Sequence, residues 1–327
     1  MANPVGWTKS GNSLPATIST VLVESYGNRI YAFAGNTSST PTFNLNIYSS
    51  QFEEGSLRGW QTAVHTLPVA AENAALARKG NFLYVIGGTS ADETTATQNV
   101  QIGTIQVNGE ITWVNSKSAV LPTALFLNRG ATWDNFLFVV GGNTAGDSGS
   151  VIYSKINSDG SLTPWVTGIA LPSPLAAGGW QNGILFARQG YLYFGAGAEV
   201  TGNTVQTVMW SSKINSDGSL AAWKQVGGVM SSAHFKPGWA VVGNNLVIVA
   251  GSTSSSRANV TNVVESAQLM PDGGLGAFSA TTAYPISAWG MAGVGVGDYM
   301  FMMGGVNNTP TYYSDVYSAK VQSNGVI

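Results

Sequence analysis

Six times along this 327-residue chain an apolar run closes on a small residue followed by glycine. The runs are Ile30 to Gly35, Leu83 to Gly88, Leu137 to Gly142, Leu192 to Gly197, Leu246 to Gly251 and Met300 to Gly305. Their final glycines are spaced 53, 54, 55, 54 and 54 residues apart, so six units of one length account for the chain. A turn pair keeps the same beat: Glu54-Gly55, Asn108-Gly109, Asp159-Gly160, Asp217-Gly218, Asp272-Gly273 and Asn324-Gly325. Asn-Gly and Asp-Gly between apolar runs favour a tight hairpin, whose central residues adopt positive φ. An aromatic follows most of these turns (Trp60, Trp113, Trp165, Trp223, Phe278), and then Leu-Pro or Tyr-Pro, as at Leu67-Pro68, Leu121-Pro122, Leu171-Pro172 and Tyr284-Pro285.

The runs are too short and too often interrupted by glycine for helices. Each unit reads as four antiparallel strands. Strand A leads into strand B, which ends at the small-Gly pair; strand C turns into strand D, which carries the aromatic. Such a sheet cannot bury both faces alone, and tandem copies at this period are the blades of a β-propeller. The expectation is one all-β domain, a six-bladed β-propeller, with blades near 16–66, 67–120, 121–170, 171–228, 229–283 and 284–327 plus 1–15. The sixth unit stops at Asn324-Gly325-Val326-Ile327, where strand D is due. Gly6-Trp7 and Leu14-Pro15 supply the missing pattern at the other end, so the Trp7 segment is expected to complete the last blade.

The apolar run ending in Gly-Gly, followed by a Tyr and then a Trp, resembles the kelch-repeat propellers across all six units. The Tyr48 to Trp60 and Tyr153 to Trp165 intervals exceed the usual kelch spacing, which implies an extended C–D hairpin as in kelch-like repeats of microbial and viral proteins. Kelch repeats tend to place an arginine shortly after the Leu-Pro, and no blade has one here.

Charge narrows the function classes. Charged residues make up 9% of the chain, against roughly 25% in an ordinary domain. A net charge of −2 without basic clusters removes the electrostatic footprint of a nucleic-acid binder. No apolar stretch approaches the ~18 residues of a membrane helix, so no membrane insertion is expected. The start, Met1 to Trp7, has neither a basic nor an apolar leader region, which suggests synthesis in a cytoplasm; a leader already removed would leave the same start.

The absence of cysteine excludes disulfides, thiolate metal sites and the cysteine-linked tyrosine of kelch-like galactose oxidases. His65 and His234 lack the second histidine or cysteine of a metal site, so neither metal nor cofactor is expected. The acid pairs Glu53-Glu54 and Asp92-Glu93 read as solvated turns. Arg78, Arg129 and Arg188 stand 9, 12 and 8 residues before their small-Gly pairs, which argues against a ring of cations.

One register carries a hypothesis. Fifteen or sixteen residues before the first member of each pair, in the loop entering strand A, stand Phe126, Trp180, Phe235 and Trp289, with Ser19 and Glu72 in the first two blades. His234 adjoins Phe235 as either a ligand-facing or a packing residue. The D–A loops share a face with the B–C loops, which are rich in Ser, Thr and Asn. Aromatic rings among hydroxyls and amides suit a glycan, whose apolar faces stack while its OH groups bond. Two accounts are open at this level: a binding face, or rings that plug the channel and pack between blades. The reading is a non-enzymatic binding or assembly module, such as a bacteriophage or virion surface protein. Its partner would be a neutral glycan or a neighbouring protein, and oligomeric assembly would fit that role. The alternatives are a sugar-acting, isomerase-type enzyme with its site in the central channel, and a purely structural propeller.

Overall fold

The computed structural model describes residues 6–38, 42–53, 55–90, 92–116, 119–143, 149–173 and 175–327. Glu54 of the first turn pair and parts of the loops around residues 40 and 146 lie outside these. The described residues form six antiparallel sheets arranged as a six-bladed β-propeller. Strands A, B and C of blade 1 are Leu22–Tyr26, Arg29–Phe33 and Ile47–Glu53, followed by Ser56–Leu57 at the hairpin and Gln61–Thr62 as strand D. Blade 2 runs Ala75–Lys79, Phe82–Ile86, Val100–Ile105 and Ile111–Ser116. Blade 3 runs Arg129–Trp133, Phe136–Val140, Val151–Lys155 and Val166–Thr167. Blade 4 runs Ile184–Arg188, Tyr191–Gly195, Met209–Lys213 and Lys224–Val226. Blade 5 runs Gly238–Val242, Asn245–Ser252, Val260–Gln268 and Ser279–Ala280. Blade 6 runs Trp289–Val296, Tyr299–Val306 and Val316–Lys320. Its fourth strand is the N-terminal Thr8–Lys9, with Thr8 opposite Ser318 and Lys9 opposite Tyr317.

The closure is anchored by the tryptophan that the repeat required there. Trp7 Nε1 donates to the Thr282 carbonyl of blade 5 at 3.0 Å, and its ring meets Tyr284 edge-on at 5.0 Å. Trp60 and Trp165 reach back in the same way, to the carbonyls of Asn12 and Ala119, each at 3.2 Å. The wide Tyr-to-Trp spacing has a simple cause. In blade 3 the hairpin bridges Ile156 to Leu162, the chain then swings outward through Pro164-Trp165, and only Val166 pairs back with Tyr153.

The core consists of six wedges rather than one mass. Buried apolar side chains sort into six clusters, each gathering residues from two adjacent blades. A hydrogen bond repeats at every junction on the loop face. The N–H groups of Gly35, Gly88, Gly142, Gly197, Gly251 and Gly305 donate to the carbonyls of Ala71, Leu125, Trp180, His234, Ala288 and Ile18. On the opposite face each C–D turn glycine lies against the residue that opens strand B of the preceding blade. A Cβ on Gly160 would stand 2.5 Å from the Phe82 ring, and one on Gly273 2.3 Å from the Tyr191 ring. The turn glycine is therefore needed for close approach as well as for positive φ.

Candidate functional site at the channel mouth

The inner strands surround a cavity of about 410 Å³ on the ring axis. Its lining mixes polar groups with apolar side chains, among them Leu22, Leu76, Trp239 and Val241. Polar groups flank it at both ends. Away from the loop face, Arg78 Nε pairs with Glu24 Oε1 at 3.3 Å and its guanidinium lies 5.7 Å over the Tyr26 ring.

The loop-face end is built by one residue per blade at the entry to strand A: Thr20, Asn73, Leu127, Asn182, Lys236 and Gly290. All six have positive φ, between 51° and 65°. Left-handed backbone costs an L-residue about 1–2 kcal/mol, and here it turns each peptide toward its neighbour. Leu127 N–H donates to Asn73, Asn182 to Leu127, Lys236 to Asn182, Gly290 to Lys236 and Thr20 to Gly290, at 2.6–3.0 Å. These bonds make a backbone collar around the mouth. Among the described residues the sixth step, Asn73 to Thr20, carries no such bond. At that same junction the Gly35 to Ala71 bond is 3.4 Å, the longest of the six repeated glycine bonds. The collar is therefore loosest between blades 1 and 2.

Glu72 sits at that opening. It is 5% exposed, its Oε1 lies 3.4 Å from Thr20 Oγ1, and its Oε2 is buried without a hydrogen-bond partner. Burial pushes its carboxyl above the usual range, and the Lys236 ammonium pulls it part of the way back. Glu93 stands beside it, accepting from Asn36 Nδ2 at 2.9 Å across the two blades.

Lys236 spans the mouth. It enters from blade 5, and its Nζ donates to Asn73 Oδ1 of blade 2, on the far side of the ring, at 3.0 Å. On the way its ammonium passes 5.0 Å from the Trp289 ring. Burial pushes the amine down to about 8; Glu72 opposes that shift, while Arg129 and Arg257 add to it. Arg129, whose guanidinium burial lowers to about 10, bonds Gly183 O at 2.9 Å and lies 3.4 Å from Asn182 Oδ1.

The aromatic register divides in two. Phe126, Phe235 and Trp289 share one position with Ser19, Glu72 and Gln181, and all six pair with the first residue of a B–C loop. Phe235 and Trp289 are neighbours, with ring centroids 5.7 Å apart, and Trp289 is partly exposed. Phe126 is also partly exposed but has no ring partner among the described residues. Trp180 corrects the expectation: it belongs one residue earlier, in the position of Ile18, Ala71, Leu125, His234 and Ala288. All six residues at that position are buried. Trp180 and His234 are both 0% exposed and offer no surface to a ligand. Trp180 Nε1 donates to Ala196 O at 2.7 Å, and His234 Nδ1 lies 2.6 Å from Ala250 O with Nε2 3.0 Å from Glu265 Oε2.

The arginines do not form a ring: Arg78 faces the far end, Arg129 the mouth, and Arg188 bonds Gly243 O. Lys236, Asn73 and Asn182 were missed by sequence reasoning, although they too recur at the repeat interval. Their signal is positional, and Leu127 and Gly290 at the same position conceal it. Among the described residues no three His, Asp or Glu side chains gather as a metal site.

No family model matches the chain, and no curated protein matches it. Among solved structures it is similar to that of a protein called YjhT, with a TM-score of 0.75 at 11% identity, over 96% of this chain and 98% of that one. A likeness at that identity speaks for the propeller fold alone.

Proposed function

We propose that this chain is a non-enzymatic, kelch-like binding module that takes a neutral glycan at the loop-face mouth of its channel. The observation that carries the reading is the partly exposed Trp289, packed on Phe235 at the rim of a mouth whose other groups are Lys236, Asn73, Glu72 and Asn182. An aromatic face covers the apolar side of a pyranose, while the carboxylate accepts from its hydroxyls and the amine and amides donate to them. Both signs of charge meet at the mouth, which suits a neutral polyol better than an ion. On a virion surface, the setting suggested by the low charge and Ser/Thr/Asn loops, many copies would raise a weak single-site affinity. The test is a glycan array with the wild type, Trp289→Ala and Asn182→Ala. Binding that falls at least tenfold in both variants supports the reading, and unchanged binding in both overturns it.

One observation favours a second reading, a sugar-acting enzyme. A carboxyl raised by burial and an amine lowered by burial sit at one mouth, as an acid–base pair would. NMR of a panel of free sugars incubated with the protein decides it, since conversion that Glu72→Gln abolishes would be turnover.

A further inference from the structure

We propose that Lys236 is a nucleophile that captures the carbonyl of a small hydroxylated aldehyde, such as an open-chain aldose, as a reversible imine. The inference uses the mouth described above but does not depend on glycan recognition there.

Three features of the site support it. The Lys236 ammonium is held by a neutral amide, Asn73 Oδ1 at 3.0 Å, and by the Trp289 ring at 5.0 Å, with no carboxylate within ion-pair distance. Losing its proton therefore breaks no direct salt bridge. It also lies at the rim of the 410 Å³ cavity, so a small carbonyl compound can reach it from the shaft or the face. Finally, Glu72 adjoins the Asn73 that holds the amine, and its Oε2 is buried without a partner. Burial raises the proton affinity of that carboxyl, which suits it to pass a proton to a carbonyl oxygen and take one back during imine formation.

In the first step the neutral amine attacks the carbonyl carbon. A C–N bond forms, the C=O π bond breaks, and the oxygen takes a proton from the Glu72 carboxyl. The carboxylate then recovers a proton from the carbinolamine nitrogen and returns it to the hydroxyl, which leaves as water. Water leaves as the nitrogen lone pair forms the C=N bond, giving an iminium beside the Glu72 carboxylate; return of the N–H proton to Glu72 yields the neutral imine, with one water released and no oxidant or reductant.

An amine whose pKa is about 8 is roughly one-quarter neutral at pH 7.5, against about one in a thousand for an ordinary lysine. The experiment incubates the full chain with glyceraldehyde and cyanoborohydride, and maps the reduced adducts by peptide mass spectrometry. Lys236 is expected to label at least tenfold faster than the exposed Lys155, Lys213 and Lys224 of the same molecule. Its rate should level off above pH 8 while theirs keep rising. Lys236→Arg should remove the fast adduct and leave the other three. Labelling of Lys236 at or below the rate of the exposed lysines overturns the proposal, and this comparison needs no variant to fold. An array that finds no glycan ligand would overturn the binding reading and leave this labelling unchanged, so the two fail separately.

Discussion

Trp180 and His234 occupy the same position of the repeat one blade apart, and each ring directs a nitrogen at the same acceptor. The acceptor is the carbonyl of the small residue opening the next Ala-Gly pair, at 2.7 Å in Ala196 and 2.6 Å in Ala250. That carbonyl can only accept, so Nδ1 of His234 carries a proton, as the indole nitrogen does. Trp180→Ala should cost about 3–5 kcal/mol, the usual loss for a fully buried large aromatic. Trp180→Phe keeps most of the ring and leaves the Ala196 carbonyl unpaired, for about 1–3 kcal/mol. Urea denaturation of the two variants separates packing from hydrogen bonding, and equal losses would mean that the bond contributes nothing.

The other nitrogen of His234 meets Glu265, which also accepts from the N–H groups of Ser231 and Ser232 at 2.8 and 3.2 Å. Burial of Glu265 opposes ionisation, but these hydrogen bonds outweigh it and hold the carboxyl below its ordinary 4.5. Its contribution to stability is therefore present above pH 4.5 and lost as pH falls through the lowered value. Blade 2 places Gln101 at the same position, bonding both the N–H and C=O of Val69 at 2.9 Å. Glu265→Gln should thus fold and lose part of the acid sensitivity, whereas Glu265→Ala should cost at least about 1–3 kcal/mol by leaving His234 Nε2 and the Ser231 and Ser232 N–H groups without their partner. Thermal melts between pH 3 and 7 check both, and a Gln variant as unstable as the Ala variant would contradict the shared role.

Glu72 has the opposite sign. Its carboxyl is raised above 4.5 by burial, so the folded state binds more protons than the unfolded chain between the two values. Stability from this group is full below pH 4.5 and is lost as pH rises through the folded value. Glu72→Gln should accordingly raise the urea midpoint at pH 7, with the gain disappearing below pH 4.5. Glycan binding should weaken in the same variant, a gain in stability at the expense of function. A wild type more stable than Glu72→Gln at pH 7 would show that the ionised carboxylate is well solvated.

Gly160 and Gly190 have nearly the same backbone, φ +83° and +82°, in different surroundings. Alanine at Gly190 meets nothing within 4 Å, whereas alanine at Gly160 would press on the Phe82 ring at 2.5 Å. Gly190→Ala should cost the left-handed strain alone, about 1–2 kcal/mol. Gly160→Ala should cost at least twice as much, because the blade 2–3 junction must open. Equal losses in urea denaturation would mean that the hairpin tip does not latch the neighbouring blade.

The fold was legible because a propeller writes its period into the chain. Each blade repeats the same burial problem, so the small-Gly pair returns every 53–55 residues, and the turn glycine and strand-D aromatic every 51–58. The closure by Trp7 was legible for the same reason, as a missing strand at one end and a surplus one at the other. The site was only partly legible. A tolerance of one residue in counting placed Trp180 beside Phe126, yet Trp180 stands one step earlier in the repeat, at a position where all six residues are buried. Glu72, Phe235 and Trp289 share one repeat position in sequence and structure alike, and Lys236 stands one residue beyond it.

The sequence by itself thus determined the strand count, the blade boundaries' common period and the direction of closure, since these follow from local periodicity and hairpin chemistry. Only the tertiary structure decided that a lysine of blade 5 meets an asparagine of blade 2, 163 positions away. The same holds for the collar, which is loosest between blades 1 and 2, where Glu72 sits. Ring closure brings six collar residues to one axis, where Lys236 and Asn73 meet across the channel. Periodicity can report that such a position recurs; what it faces depends on the blade opposite.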